Sequence, residues 1–275
     1  MLYLVATPIG NLGDISERAA QTLSEVDFIA AEDTRVTRKL LEYLNIKKQL
    51  VSYYEHNRRE SGEKILSRLL SGESCALVTD AGTPGISDPG EDLVRLCSQS
   101  GVPMVAIPGP CAAVAALSLS GLSAGRFAFE GFLSTAKKSR FERLNELKTE
   151  KRTMVFYEAP HKLTRTLRDM LSAFGDRRVS ISRELTKLYE ETMRYTLTEA
   201  ASHFERTPPR GEFVLVVEGA PTVNASSAQE LEQAAESARA YISDGLTAKD
   251  AVRKASKEMG ISKNALYSEV IKKSE

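Results

Sequence analysis

Five short apolar runs recur through the first 107 residues, and a segment of helical period follows each of the first four. The runs are Leu2–Ala6, Asp27–Ala31, Leu50–Tyr54, Cys75–Thr79 and Met104–Ile107. Between them lie the amphipathic stretches Ile15–Ser24, Val36–Tyr43, Gly62–Leu70 and Glu91–Cys97, and Cys111–Leu119 closes the block. Strand and helix periods that alternate in this way restrict the chain to an α/β architecture built on a largely parallel sheet.

A second block opens near Leu122. Arg126–Leu133, Thr153–Tyr157, Val179–Ser182, Thr192–Leu197 and Glu212–Val217 read as strands, with helices at Lys138–Leu147, His161–Phe174 and Thr198–Arg206. The two strands flanking Lys187-Leu188-Tyr189 lie so close together that this sheet is expected to be mixed, with antiparallel pairing. Residues 220–229 carry no charge, little bulk and one proline, which is linker composition. Beyond them Glu230–Ser243 reads as a helix. Thr247 can cap a second over Ala248–Met259, Gly260 suits the left-handed residue that ends it, and Ser262 can cap a third. The expected organisation is therefore an α/β domain over 1–121, a second over 122–219, a linker, and a helix-turn-helix-like extension over 230–275.

Charge and cysteine usage narrow the function classes. Thirty-seven basic side chains balance 37 acidic ones, which disfavours a protein that coats bare nucleic acid through a global positive field. A local patch on a folded ribonucleoprotein is still open. No apolar stretch approaches the ~18 residues of a membrane span. The apolar start lacks a basic lead-in and is broken by Pro8 and Gly10, so it reads as a first strand and not as a signal peptide. Cys75, Cys97 and Cys111 are an odd number without close spacing, and His56, His161 and His203 are far apart. Neither a disulfide framework nor a metal site fits, and a reducing cytoplasm is expected.

The chemistry-bearing segments sit where strands end. The loop Thr79-Asp80-Ala81-Gly82-Thr83-Pro84-Gly85-Ile86-Ser87-Asp88-Pro89-Gly90 combines three glycines with two prolines, and Thr79, Asp80, Thr83 and Ser87 supply polar groups to a potential pocket. Amides exposed where it enters a helix can bind an anion. Ala6-Thr7-Pro8-Ile9-Gly10-Asn11 and Ile107-Pro108-Gly109-Pro110-Cys111-Ala112-Ala113 have the same character, and in open α/β sheets ligands gather at such carboxyl ends. None is a dinucleotide or P-loop fingerprint. Glu32 and Asp33 end the second strand, where either ribose binding or substrate positioning suits them.

Taken in order, several segments resemble the tetrapyrrole-methylase superfamily. They are Pro8–Ile15, Ala31-Glu32-Asp33-Thr34-Arg35, Tyr54-Glu55-His56-Asn57, Thr79–Gly90, Phe129-Glu130-Gly131-Phe132-Leu133, Phe156–His161, Arg183-Glu184-Leu185-Thr186-Lys187 and Gly211-Glu212-Phe213. Within the superfamily the chain is similar to the 16S rRNA (cytidine 2′-O) methyltransferases. The likeness runs from about Leu2 to Glu218, and the tail resembles that branch's helical extension. It implies two α/β domains with S-adenosylmethionine in the cleft between them, usually as a homodimer. It also implies that Pro8, the Gly82-Thr83-Pro84 turn, Pro110, Cys111 and Ala112 hold the cofactor, with Phe132 and Leu133 on the adenine. Thr83 stands where many relatives have aspartate.

Transfer of a methyl from a sulfonium to a ribose oxygen depends first on orientation, and a base adds to it. Glu158, His161, Glu184 and, if burial depresses its pKa, Lys187 are the candidates. Glu184 is equally suited to an ion pair with Arg183 or Lys187, and His161 to a helix start. Glu32, Asp33, Arg35, His56, Asn57 and Arg183 are candidates for holding RNA. Lys137–Arg152 carries seven basic residues against three acidic, a possible phosphate contact or an ordinary solvated helix face. Tyr53, Tyr54, Tyr157 and Tyr189 could stack a base. Two other functions remain in view: a methylase acting on a tetrapyrrole, against which the tail and the Arg183–Lys187 motif speak, and a non-catalytic ribosome-assembly factor that binds RNA.

Overall fold

The computed structural model describes residues 1–221 and 228–272, so most of the expected linker lies outside the described residues. It groups the chain into two compact units, Met1–Glu218 and Gly219–Glu275.

The first sheet contains β1 (Leu2–Val5), β2 (Phe28–Ala31), β3 (Gln49–Ser52), β4 (Cys75–Val78) and β5 (Met104–Ile107). Their order is β3-β2-β4-β1-β5, and every neighbouring pair is parallel. Helices α1 (Glu17–Glu25), α2 (Thr34–Tyr43), α3 (Arg58–Leu70) and α4 (Gly90–Gln99) make the connections. The central strands β2 and β4 are buried on both faces, as their unbroken apolar runs require. On one face Leu2, Phe28, Leu77, Leu93 and Cys97 share a core, and on the other Val5, Ile29, Val78, Leu23 and Ile107 share a second. Ser16 and Asp33 cap α1 and α2 by accepting the Ala19 and Arg35 amides.

Helix α5 (Ala112–Leu119) follows β5. Its buried face, Ala113, Ala116 and Leu117, packs on Val155, Leu185, Val214 and Val216 of the second sheet. That sheet contains β6 (Phe127–Phe132), β7 (Thr153–Glu158), β8 (Arg178–Arg183), β9 (Glu191–Thr196) and β10 (Phe213–Val217), in the order β6-β7-β10-β8-β9. Only β6 and β7 pair in parallel; the rest, including the β8–β9 hairpin, are antiparallel. Helices α6 (Lys137–Leu147), α7 (Pro160–Phe174) and α8 (Leu197–Arg206) cover its other face, burying Met154, Phe156, Leu163, Leu167 and Leu215. Pro160 occupies the first turn of α7, where its missing amide costs nothing.

The second unit is a three-helix cluster of α9 (Ala228–Ser243), α10 (Ala248–Met259) and α11 (Lys263–Lys272) around Ala234, Ala238, Val252, Ala255, Leu266 and Val270. Thr247 caps α10 through the Asp250 amide, and Gly260 ends it in the left-handed region at φ 67°. None of the described helices is long and apolar enough to cross a membrane.

Candidate active site

Strand order explains why loops distant in sequence meet. Because β4, β1 and β5 are neighbours, the loops leaving their carboxyl ends are neighbours too. They are laced together: Thr7 and Gly82 exchange backbone hydrogen bonds at 2.9 and 3.0 Å, the Thr7 hydroxyl donates to the Thr79 carbonyl at 3.1 Å, and the Thr83 hydroxyl donates to the Pro110 carbonyl at 3.0 Å. From the adjoining β2, Glu32 accepts the Thr79 hydroxyl at 2.8 Å. The Asp33 amide donates to Asp80 at 2.9 Å, and burial raises the Asp80 pKa.

These loops face the carboxyl ends of β6, β7 and β8, and between them lies a cavity of about 480 Å³. Ile9, Gly82, Thr83, Ile86, Ser87, Cys111 and Ala112 line it from one side. Phe132, Tyr157, Glu158, His161, Ser182, Leu185 and Val214 line it from the other. A β-bulge at Gly131, whose φ is 61°, turns β6 toward the Ser87 loop. A Cβ added at Gly131 would stand 2.9 Å from the Ser87 hydroxyl, so a side chain there would meet both the left-handed backbone and the opposite loop.

A second close approach clamps the cleft at Gly10. A Cβ there would overlap Lys187 Cγ and lie 2.9 Å from Thr186 Oγ1. Lys187 is fixed by two carboxylates, Glu184 at 3.1 Å and Glu212 at 2.5 Å, while Glu184 also accepts the Glu212 amide at 2.9 Å. Burial alone would lower the Lys187 pKa, but the hydrogen bonds from its ammonium to Glu212 and Glu184 outweigh it and the pKa rises. Burial likewise opposes ionisation of Glu184, yet the Glu212 amide and Lys187 hold its pKa below the usual value. The depressed lysine pKa that a basic Lys187 would need is therefore absent: the pair is a charged clamp.

Of the other base candidates, Glu158 is buried, with one oxygen accepting the Ala159 amide at 2.9 Å and the other the Thr166 hydroxyl at 2.6 Å. His161, in the first turn of α7, lines the cavity and makes no hydrogen bond among the described residues.

Among the expected cofactor residues, Gly82, Thr83, Ser87, Cys111, Ala112 and Phe132 reach the cavity wall. Pro8, Asp80, Pro84, Pro110 and Leu133 stand immediately beside wall residues, Leu133 with its side chain in the second-sheet core. Of the expected RNA contacts Glu32 and Tyr157 line the cavity. Asp33 and Arg35 pair with each other at 2.6 Å, and the hydrogen bonds from Arg35 hold the Asp33 pKa at about 2. Asn57 is spent on its own turn, accepting the Tyr54 amide and donating to Ser52, and His56 sits edge-on to Tyr54 in that turn, beyond the end of β3. Arg183 lies 3.8 Å from Glu191.

Three features differ from expectation. The amides of Gly85 and Gly90 both donate to the Asp88 carboxylate at 2.7–2.9 Å, so the glycine-rich loop satisfies its own helix start and leaves no vacant anion site at Gly90. The basic run Lys137–Arg152 is partly paired, while Lys137, Lys148 and Lys151 make no ion pair among the described residues. Arg140 is buried on Asp169 at 2.7 Å, Arg143 pairs with Glu130 and Glu146, and Arg152 with Glu150. Tyr157, quoted above only as a possible base-stacker, spans the cleft: its hydroxyl accepts the Ala113 amide at 3.2 Å, and burial pushes its pKa up to about 12. Period-two alternation from Met154 and Phe156, which enter the α7 side, was the signal that Val155 and Tyr157 face α5.

Residues 1–201 match the family described as Tetrapyrrole (Corrin/Porphyrin) Methylases. The chain is 46% identical over 268 residues to the Ribosomal RNA small subunit methyltransferase I of Synechocystis sp., covering 97% of this chain and 96% of that one. It is 47% identical over 272 residues to the protein of the same name from Halalkalibacterium halodurans (97% and 93% covered) and 43% identical over 271 residues to that of Escherichia coli O157:H7 (97% and 93%). Among solved structures, a cobalt precorrin-4 methyltransferase superposes with a TM-score of 0.60 at 17% identity, covering 79% of this chain and 94% of that one. A uroporphyrin-III C-methyltransferase from Thermus thermophilus, solved with S-adenyl homocysteine, superposes with a TM-score of 0.57 at 18% identity, covering 79% and 96%.

Proposed function

Because this chain belongs to the tetrapyrrole (corrin/porphyrin) methylase family, we propose that it is an S-adenosylmethionine-dependent methyltransferase. Its acceptor is the ribose 2′-hydroxyl of a cytidine in 16S rRNA of the small ribosomal subunit. One observation carries the choice of RNA over a tetrapyrrole. The solved tetrapyrrole enzymes account for 79% of the chain, whereas the relatives named for ribosomal RNA account for 97%, helical tail included. The same likeness favours methylation over a purely binding role in ribosome assembly. A homodimer working in the cytoplasm on an assembled subunit completes the reading, since a chain without net charge gains from shape and protein surface as well as phosphate.

The residues present fit the cofactor. A cavity of about 480 Å³ is within the usual range of cofactor sites, roughly 300–1,000 Å³. Its apolar wall (Ile9, Ile86, Phe132, Val214) suits a purine, and Thr83, Ser87 and the loop backbone at Gly82 and Ala112 offer polar groups to the amino-acid end. Bound there, S-adenosylmethionine supplies an electrophilic methyl on a sulfonium. The protein's task is to exclude water and align the acceptor. The laced loops and the Lys187 clamp fix one wall against the other, an effect that can reach effective molarities of about 10⁵–10⁸ M. His161 is placed to accept the hydroxyl proton at an imidazole nitrogen, an effect typically of about 10²–10⁴-fold. Glu184 and Lys187, each committed to the other, position the wall and do not take that proton.

Radiolabelled methyl transfer to purified small subunits, to naked 16S rRNA and to a tetrapyrrole precursor tests the reading. Label in subunit RNA that makes one internucleotide bond resistant to alkali is expected. Label in the tetrapyrrole alone, or in no acceptor, would overturn it.

A further inference from the structure

The tip of the β8–β9 hairpin carries two side chains that the fold does not use. Leu188 and Tyr189 are the most exposed large apolar residues described, at 87% and 70%. They are held out by a built turn. The Lys187 amide donates to the Glu184 carbonyl at 3.0 Å and the Glu190 amide to the Lys187 carbonyl at 3.1 Å. The Thr186 amide donates to the Glu190 carboxylate at 2.6 Å. At its base Glu184 and Thr186 take left-handed φ values of 50° and 66°, a strain that persists only where surroundings enforce it.

That base belongs to the cleft. Leu185 lines the cavity, and Lys187 is pressed on Gly10 of the first loop. In the loop that leads into β10, Arg210 is exposed and makes no ion pair among the described residues, two positions before Glu212 of the cavity wall. An aliphatic side chain, an aromatic face and an exposed cation thus flank the Lys187–Glu212 pair at the rim of the site.

We propose that this tip grips the RNA, with Tyr189 stacked on an unpaired base beside the methylated nucleotide, Leu188 wedged next to it and Arg210 on a phosphate. The inference rests on the rRNA reading above. A ribose can enter a cavity between two lobes only if its nucleotide leaves the regular stack, and proteins hold such splayed bases on aromatic faces. A protein partner is the weaker alternative, because two side chains on a turn fall far short of the ~1,000 Å² of a stable interface.

The test uses the full chain and purified small subunits. Tyr189→Ala is expected to raise the KM for subunits about 5- to 150-fold, the range reported for loss of one base-stacking contact. Tyr189→Phe, which keeps the ring, should stay near wild type. Affinity for S-adenosylhomocysteine and the sedimentation coefficient should be unchanged in both. An unaltered KM in Tyr189→Ala, while wild type still methylates subunits, would refute the grip and leave the rRNA reading standing. A shift of Tyr189→Ala to a smaller species would also refute it, in favour of an interface between copies. Wild-type protein inactive on subunits would reject the rRNA reading itself.

Discussion

The contact at Gly10 makes a quantitative test of how the cleft is held. Replacing Gly10 by alanine adds one methyl group at a residue whose φ is not in the left-handed region, so the backbone itself tolerates it. The methyl would overlap Lys187 Cγ and stand 2.9 Å from Thr186 Oγ1, when ordinary contact begins at 3.4 Å. Lys187 cannot swing aside freely, because Glu184 at 3.1 Å and Glu212 at 2.5 Å hold its end. Overpacking of this kind typically costs ~1–3 kcal/mol. If the cofactor needs the clamped cleft, the cost appears as a loss of affinity of about 5- to 150-fold. Gly125→Ala is the matched control, since nothing lies within 4 Å of its added Cβ and its φ is also outside the left-handed region. It should leave affinity unchanged. Isothermal titration with S-adenosylhomocysteine reads both. In the double variant Gly10→Ala/Lys187→Ala the larger of the two obstacles is gone, so part of the loss should be regained, giving a coupling of about 0.5–3 kcal/mol. Equal affinity in Gly10→Ala and Gly125→Ala, or strictly additive effects in the double variant, would refute the clamp.

Three further outcomes are expected. Tyr157→Phe keeps the ring but leaves the Ala113 amide without its acceptor, at a cost of about 1–3 kcal/mol; a raised dissociation constant for the cofactor with unchanged kcat at saturation would show it. Glu184 has a pKa lowered from 4.5 and Lys187 one raised from 10.5. The contribution of Glu184 is present above its unfolded value and lost as pH falls through its folded one, and that of Lys187 is present below its unfolded value and lost as pH rises through its folded one. The contribution of this pair to folding stability should therefore be flat between these limits and fall in acid below about pH 4.5, and Glu184→Gln should lose that part of the acid dependence, as denaturant melts across pH would reveal. Arg140→Ala strips a partly buried carboxylate of its partner at 2.7 Å and frees the Ser134 and Thr135 carbonyls, so denaturant melts should show a loss of about 3 kcal/mol.

Most elements were legible because both signals they depend on are local. Every expected strand in the α/β blocks is present to within about two residues, and the antiparallel hairpin at Lys187–Tyr189 formed as its short loop required. What the sequence withheld is pairing over distance. Nothing in α6 announces that Arg140 turns inward to an aspartate 29 positions on, so one cation of a run that read as a phosphate contact or a solvated face belongs to the interior. Helix α5 follows the first sheet in the chain, yet its small residues Ala113 and Ala116 fit the second sheet, a choice made by shape complementarity and not by period. The candidate site was legible as a set of loops, and topology decided which of their residues face inward. The direction of the Lys187 pKa shift was beyond reach, because Glu212, 25 residues away, joins Glu184 in raising it.

The distribution of strain suggests where the fold spends its stability. Of the four non-glycine residues with positive φ among the described residues, three are Ser87, Glu184 and Thr186, at the rim of the candidate-site cavity. Each such residue costs about 1–3 kcal/mol unless its surroundings enforce it. Ser87 lies in the turn that the Asp88 carboxylate closes onto Gly85 and Gly90, and Glu184 and Thr186 are held by the Lys187 clamp and the Glu190 carboxylate. Methyl transfer to a sugar hydroxyl offers little charge for a protein to stabilise, since a cationic donor becomes neutral and the proton leaves to a base. Alignment is then the largest lever available, and a fold that concentrates its strained residues on the two faces that must be aligned is using stability for that purpose. By the same logic, substitutions that relax the rims, such as Ser87→Gly, should stabilise the chain while slowing the transfer.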